Sequence, residues 1–235
     1  MVQLPVKGTQ EYISLAPSKI IAVGLNYHAH VQESKVFDLK KLEVPSEPVL
    51  FAKTPNVLIG PDEPIVIPAL LKEYHFDEPR IDHEAELAII ISKKCKHVTE
   101  QDALNYVLGY TCFNDVSQRN IQKSDASGWF RGKSFDTFGP IGPVIVPPHL
   151  LPDPQKLAIS CRVNGKTTQV ASTADMIFSI HKLISFISHN FTLEAGDIIA
   201  TGTPSGVSPI KAGDEVEVEI EGIGILRNPV IEEIL

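Results

Sequence analysis

Apolar and polar positions along this chain fall into short runs, and glycine or proline closes most of them, which is the pattern of strands rather than long helices. Residues 19–24 read as an apolar strand stopped by Gly24, and 49–53 and 65–67 as two more. The most organised stretch is Ile81-Asp82-His83-Glu84-Ala85-Glu86-Leu87-Ala88-Ile89-Ile90-Ile91. In a strand, Glu84, Glu86, Ala88 and Ile90 share one face, while Ala85, Leu87, Ile89 and Ile91 line the other. Beyond Glu86 both faces are apolar, so the pattern predicts a central strand buried on both sides. A second β-rich run, 107–113, ends at Asn114-Asp115. Further on, 157–163, Asn164-Gly165 and 166–170 spell a hairpin, because Asn-Gly suits a type I′ turn. Strands at 197–201 and 215–220 each follow an Ala-Gly-Asp turn.

Helical signals are fewer. Residues 25–35 carry no strong breaker and place His30 and Glu33 three apart on one face. Apolar residues at 177, 180, 183, 184 and 187 predict a helix within 176–189. Residues 116–123 also read as helical, and Thr99 with Asp102 resembles an N-cap for 100–106. The charged, proline-punctuated segment 34–48 reads as a connection and 70–80 as a loop. Prolines 140, 143, 147 and 148 break the next stretch around one short strand, 144–146. Strands outnumber helices without regular alternation. The expectation is a single α+β domain over 1–235, not a doubly wound sheet.

Composition narrows the function classes. With 43% hydrophobic residues the chain can bury a sizeable core, and its formal net charge of −8 argues against nucleic acid or an anionic membrane as partner. Cys95, Cys112 and Cys161 lie far apart with no C-x-x-C, as expected of free thiols in a reducing compartment. No signal peptide is evident at the start, and no apolar run approaches the roughly 18 residues of a membrane span. The expected location is the cytoplasm.

Two glutamates at the mouth of a buried strand repel one another unless a cation sits between them. Oxygen ligands with no cysteine nearby favour Mg²⁺, Mn²⁺ or Ca²⁺ over zinc. An edge strand with two solvated glutamates is the competing reading. Asp115, ending its own strand, is either a cap or a third carboxylate completing a facially open site. If the three gather, neutralising one should relieve repulsion in metal-free protein. Arg119 and Gln122 lie on one helical face with Asp115, as a solvated helix would also place them. Lys133 sits in a loop rich in serine, glycine and aromatics. Thr201-Gly202-Thr203-Pro204-Ser205-Gly206 is either a plain turn or one that presents N–H groups and hydroxyls to an anion. His28 and His30 form an H-x-H pair without further zinc-like ligands, and His83 reads as a support for the acidic cluster.

Taken in order, Val23-Gly24-Leu25-Asn26-Tyr27 with His30 and Glu33, Pro48-Val49-Leu50-Phe51-Ala52-Lys53, Glu84-Ala85-Glu86-Leu87 and Asn114-Asp115-Val116-Ser117-Gln118-Arg119 resemble the fumarylacetoacetate hydrolase family. So do Gln122, Lys133-Ser134-Phe135-Asp136, Gly139-Pro140-Ile141-Gly142-Pro143 and Gly196-Asp197-Ile198-Ile199-Ala200-Thr201-Gly202-Thr203-Pro204. The short acylpyruvase and oxaloacetate decarboxylase-like branch is the nearest in pattern. The resemblance implies a β-rich roll around a mixed sheet, a short N-terminal lid helix with its connection over about 26–47, and a homodimer. It implies Mg²⁺ or Mn²⁺ (Ca²⁺ as a stand-in) on Glu84, Glu86 and Asp115, with Lys133 stabilising oxyanion charge and Arg119, Gln122 and Thr203 contacting a small 2-oxo acid. A His30–Glu33 dyad would activate water for C–C hydrolysis of a 2,4-dioxo acid such as an acylpyruvate or fumarylpyruvate. Oxaloacetate decarboxylation or tautomerisation, or 2-hydroxyhepta-2,4-diene-1,7-dioate isomerisation, are the alternatives, and a non-catalytic dicarboxylate-binding module is the reading from another class. Leu25 departs from an arginine, Asn120 from a second aspartate, and the connections at 34–47 and 71–82 look longer than usual.

Overall fold

Ala85–Ile91 is buried at every position and lies fourth of seven in the larger sheet. Strand order in that sheet is Val49–Lys53, Ile20–Gly24, Ile198–Ala200, Ala85–Ile91, Val107–Asn114, Gly139–Val146 and Leu58–Ile59. The sheet is mixed, since Ile198–Ala200 runs parallel to Ile20–Gly24 and antiparallel to Ala85–Ile91. A computed structural model supplies these coordinates and describes residues 1–36, 44–126 and 128–234, without the side chains of 33–36. The alternation read from the sequence decides which core each residue joins. Ala85, Leu87, Ile89 and Ile91 enter one apolar cluster, and Ala88 and Ile90 the other. Two-sided burial therefore leaves no room for the edge-strand reading.

The first cluster fills the space between this sheet and a second one. The second sheet has the order Lys166–Ser172, Ala158–Val163, Glu215–Ile220, Gly224–Glu232 and Ile65–Ile67. The Asn-Gly hairpin forms as expected, with Asn164 at φ 52° and Gly165 at φ 75°. Helix Ile180–Asn190 closes the same core through Ile180, Leu183, Ile184 and Ile187, capped by Ser179. The whole is an α+β fold, a curled mixed sheet with few helices.

Several elements differ from the sequence reading. The helix expected from Leu25 is His28–Val36. Leu25 is left-handed at φ 57°, and Asn26 is tied to Phe178 and Thr201, so the chain turns before it can coil. Ser117–Gln118 is extended and pairs with Ile81–Asp82, leaving the helix as Arg119–Ser124. The loop at 70–80 contains a 3₁₀ helix, Ala69–Tyr74. The capping at Thr99 and Asp102 is present, but it precedes a 3₁₀ turn, Ala103–Tyr106. Residues 139–146 form one strand despite two prolines; Pro143 falls where the register shifts between Gly142 and Val146, which spares the ladder its missing N–H. Strand Gly224–Glu232 escaped the sequence reading, as Asn228 and Pro229 interrupt its pattern. Residues 37–43 of the expected connection lie outside the described residues.

Candidate active site

Glu84, Glu86 and Asp115 converge, with one carboxylate oxygen of each within 4.8 Å of the others, and all three are buried. The central strand and its neighbour deliver them: Ala85 pairs with Asn114, so the residues just before Ala85 and just after Asn114 emerge side by side. Asn114 locks this arrangement by accepting the Glu84 N–H at 2.9 Å, and Asp115 N–H bonds Glu84 O at 2.9 Å. Two buried ammonium groups are threaded into the cluster. Lys133 Nζ donates to Glu84 Oε2 at 2.7 Å and to Asp115 Oδ2 at 2.6 Å, and Lys53 Nζ donates to Asp115 Oδ1. Arg119 reaches Glu84 Oε1, Asp82 Oδ2 (2.8 Å) and Gln122 Oε1 (3.0 Å).

This pairing divides the three carboxylates. Burial raises the pKa of Glu84, but Lys133 and Arg119 more than reverse it and hold the group below the ordinary carboxylate range. Among the described residues, Glu86 receives the Gly202 N–H at 2.9 Å and no ammonium or guanidinium, and its pKa lies well above the ordinary value because of burial and the neighbouring Asp115 and Glu84 charges. Burial lowers Lys133, yet Asp115 and Glu84 outweigh it and the net shift is upward. Lys53 is pulled down by burial, which Asp115 only partly offsets. The expectation that neutralising any member relieves repulsion is thereby corrected: Glu84 and Asp115 each anchor a buried cation, and only Glu86 is a like charge without one. The donor set fits a divalent cation, with three oxygen ligands and no sulfur or imidazole. Such a cation would restore the Glu86 carboxylate that its surroundings disfavour.

The cluster floors a cavity of about 420 Å³, walled by Leu25, His30, Phe51, Arg119, Gln122, Trp129, Thr203 and Val207 among others. Seven of the nine sequence candidates thus line one space, and an eighth, Asp115, is bonded to Lys133 at its edge. The ninth, Glu33, lies on the same helix as His30, but its side chain is outside those described. Thr203 is held by Gln169, whose Nε2 donates to Thr203 Oγ1 at 2.9 Å and to Pro204 O at 2.8 Å. Gln169 Oε1 accepts the Ala85 N–H at 3.0 Å and faces His83 Nδ1 at 3.2 Å. That oxygen can only accept, so His83 carries its proton on Nδ1, with Nε2 facing Ser208 Oγ at 2.8 Å. Burial lowers the pKa of His83 and keeps it neutral, a support beneath the cluster. Gly202 presents its N–H to the protein's own Glu86. A Cβ there would meet Asn26 Cβ at 2.7 Å at a φ of +95°, so glycine is required. Lys53, Asp82 and Gln169 were not singled out from the sequence. For Lys53 the signal was available, since it shares a strand face with Phe51.

A profile of the fumarylacetoacetate (FAA) hydrolase C-terminal family matches residues 19–231. The chain belongs to the fumarylacetoacetate hydrolase family. Among its relatives is a mitochondrial oxaloacetate tautomerase of Rattus norvegicus, 40% identical over 97% of this chain and 72% of that protein. Among solved structures, a 2-hydroxyhepta-2,4-diene-1,7-dioate isomerase from Mycobacterium marinum aligns with a TM-score of 0.80 and 41% identity over 93% of this chain and 76% of that one. A maleylpyruvate hydrolase from Sphingobium sp. SYK-6, in complex with manganese(II) and pyruvate, aligns with a TM-score of 0.76 and 35% identity over 93% and 72%. This family of enzymes therefore includes a tautomerase, an isomerase and a hydrolase. Among the described residues, no helix is long and apolar enough to cross a membrane.

Proposed function

We propose that this family member is a divalent-metal-dependent enzyme that enolises a small 2-oxo acid, with oxaloacetate keto–enol tautomerisation as its reaction. The observation that carries the reading is the buried carboxylate triad with Lys133 Nζ bonded to two of its members on the floor of one cavity. Likeness to the rat tautomerase over 97% of the chain supports the choice among enolate reactions.

Glu84, Glu86 and Asp115 would hold Mg²⁺ or Mn²⁺, which when bound supplies Lewis-acid polarisation of the 2-oxo oxygen. An ammonium has three donors. Lys133 spends two on Glu84 and Asp115, which leaves a third to stabilise negative charge building on the 2-oxo oxygen. Arg119 and Gln122 would receive the substrate carboxylate, and Thr203, fixed by Gln169, lines the same cavity. His30, which lines the cavity, is the base that takes the proton from C3 to give the enolate, and the enolate oxygen takes a proton from solvent water to give the enol. His30 also favours a second reading, hydrolysis of a 2,4-dioxo acid, in which the same imidazole deprotonates water next to C4 instead.

The test is a panel of oxaloacetate and acylpyruvates assayed with Mg²⁺ and Mn²⁺, before and after EDTA. Metal-dependent enol–keto conversion of oxaloacetate well above the buffer rate is expected. Activity that survives complete metal removal would sink the metal reading, and activity on acylpyruvates alone would hand the case to hydrolysis.

A further inference from the structure

The 420 Å³ cavity adjoins a second, more open one of about 690 Å³, and the residues common to both are Arg80, Arg119 and Lys123. All three are cations. The acids Asp77 and Glu78 line only the outer cavity and Asp82, Glu84 and Glu86 only the inner one, so the lining shared at the junction holds cations and no acid.

The three cations are differently placed. Arg119 is engaged with Asp82, Glu84 and Gln122. Arg80 gives its Nε to Asp82 at 2.8 Å. Lys123 is exposed, one turn after Arg119 on helix Arg119–Ser124, so both side chains leave the same helix face toward the cavity. Asn120 fastens the opposing loop. Its Oδ1 accepts the Arg80 N–H at 2.9 Å, its Nδ2 donates to Glu78 O at 3.0 Å, and Arg119 N–H donates to Arg80 O at 2.8 Å. Gln118 Nε2 also donates to that Oδ1 at 3.0 Å, so an aspartate at 120 could keep the two accepted bonds but not the donation to Glu78 O.

Resting on the enolisation reading above, we propose that Lys123, with Arg80 held beside it by Asn120, receives the distal carboxylate of a dicarboxylic 2-oxo acid whose 2-oxo end lies on the Glu84–Glu86–Asp115 floor. A charge-assisted contact at an exposed lysine adds affinity for the second carboxylate and leaves the enolising groups untouched. Lys123 is a specificity residue on this view, and Asn120 a positioning residue.

The experiment compares Lys123→Ala, Lys123→Glu and Lys123→Arg with wild type in the Mg²⁺-loaded protein. It reads kcat and KM for oxaloacetate, and calorimetric dissociation constants for oxaloacetate and for oxalate, which offers a chelating head but no distal group. In Lys123→Ala the KM and dissociation constant for oxaloacetate should rise about tenfold to 100-fold. kcat and the oxalate constant should stay within about twofold. Lys123→Glu should weaken oxaloacetate further, and Lys123→Arg should recover most of the loss. Equal weakening of both ligands, or no change for oxaloacetate, overturns the proposal. A wild type inactive on every 2-oxo acid would refute the enolisation reading instead, and the calorimetric ratio of the two ligands would still decide for or against Lys123.

Discussion

Metal-free protein offers a sharp test of how the three carboxylates differ. Glu86 is buried beside two like charges without a cation of its own, so its folded pKa is raised. The folded protein then keeps a proton that the unfolded chain releases near pH 4.3, and stability falls as pH climbs from there toward the raised value. The loss approaches about 1.4 kcal/mol per pH unit inside that window and is constant above it. Glu84 behaves oppositely, because its depressed pKa gives stability that is present above about pH 4.3 and lost below it. Glu86→Gln keeps an acceptor for the Gly202 N–H and removes the charge. In EDTA at pH 7 it should gain about 1–3 kcal/mol, the order of an uncompensated buried polar group, or about 2–12 °C in Tm for a chain of this size. Asp115→Asn should do the reverse, since it leaves Lys53 and part of Lys133 buried without a counter-charge, at a cost of about 3–5 kcal/mol. The assay is thermal unfolding of each variant in EDTA from pH 5 to 8, repeated with Mg²⁺. Wild type should show a Tm that declines with pH, Glu86→Gln a flatter one, and Mg²⁺ should stabilise wild type far more than either variant. An Asp115→Asn protein that melts above wild type in EDTA, or a Glu86→Gln protein that melts below it, would refute the assignment of charges.

His30→Ala should lower metal-dependent enolisation, and any acylpyruvate hydrolysis, by roughly 10²–10⁴-fold with little change in Tm; loss of activity matched by loss of stability would make His30 structural. Lys53→Met should cost about 3–5 kcal/mol by stripping Asp115 of a buried partner, read as a lowered midpoint in urea unfolding. Gly202→Ala forces a side chain into a left-handed site against Asn26 and should cost about 1–3 kcal/mol while weakening Mg²⁺ binding measured by calorimetry; unchanged Mg²⁺ affinity would separate Gly202 from the acidic cluster.

What the sequence determined by itself is local and periodic. Alternation over 84–91 was enough to put Glu84 and Glu86 on one face and to bury the strand on both sides, because a strand's period of two is fixed by backbone geometry. Asn164-Gly165 set its hairpin, since few other pairs accept two positive φ angles in succession. The motifs also reached the candidate site residue by residue. Tertiary structure alone decided which carboxylates would be paired. Lys53 and Lys133 lie 62 and 18 residues from Asp115, and no spacing rule links an edge strand, a short helix and a strand end across such gaps. Gln169 enters from a hairpin in the other sheet for the same reason. The start of helix His28–Val36 was likewise decided at a distance, by Asn26 bonding to residues 178 and 201, which outweighs the weak helical preference of residues 25–27.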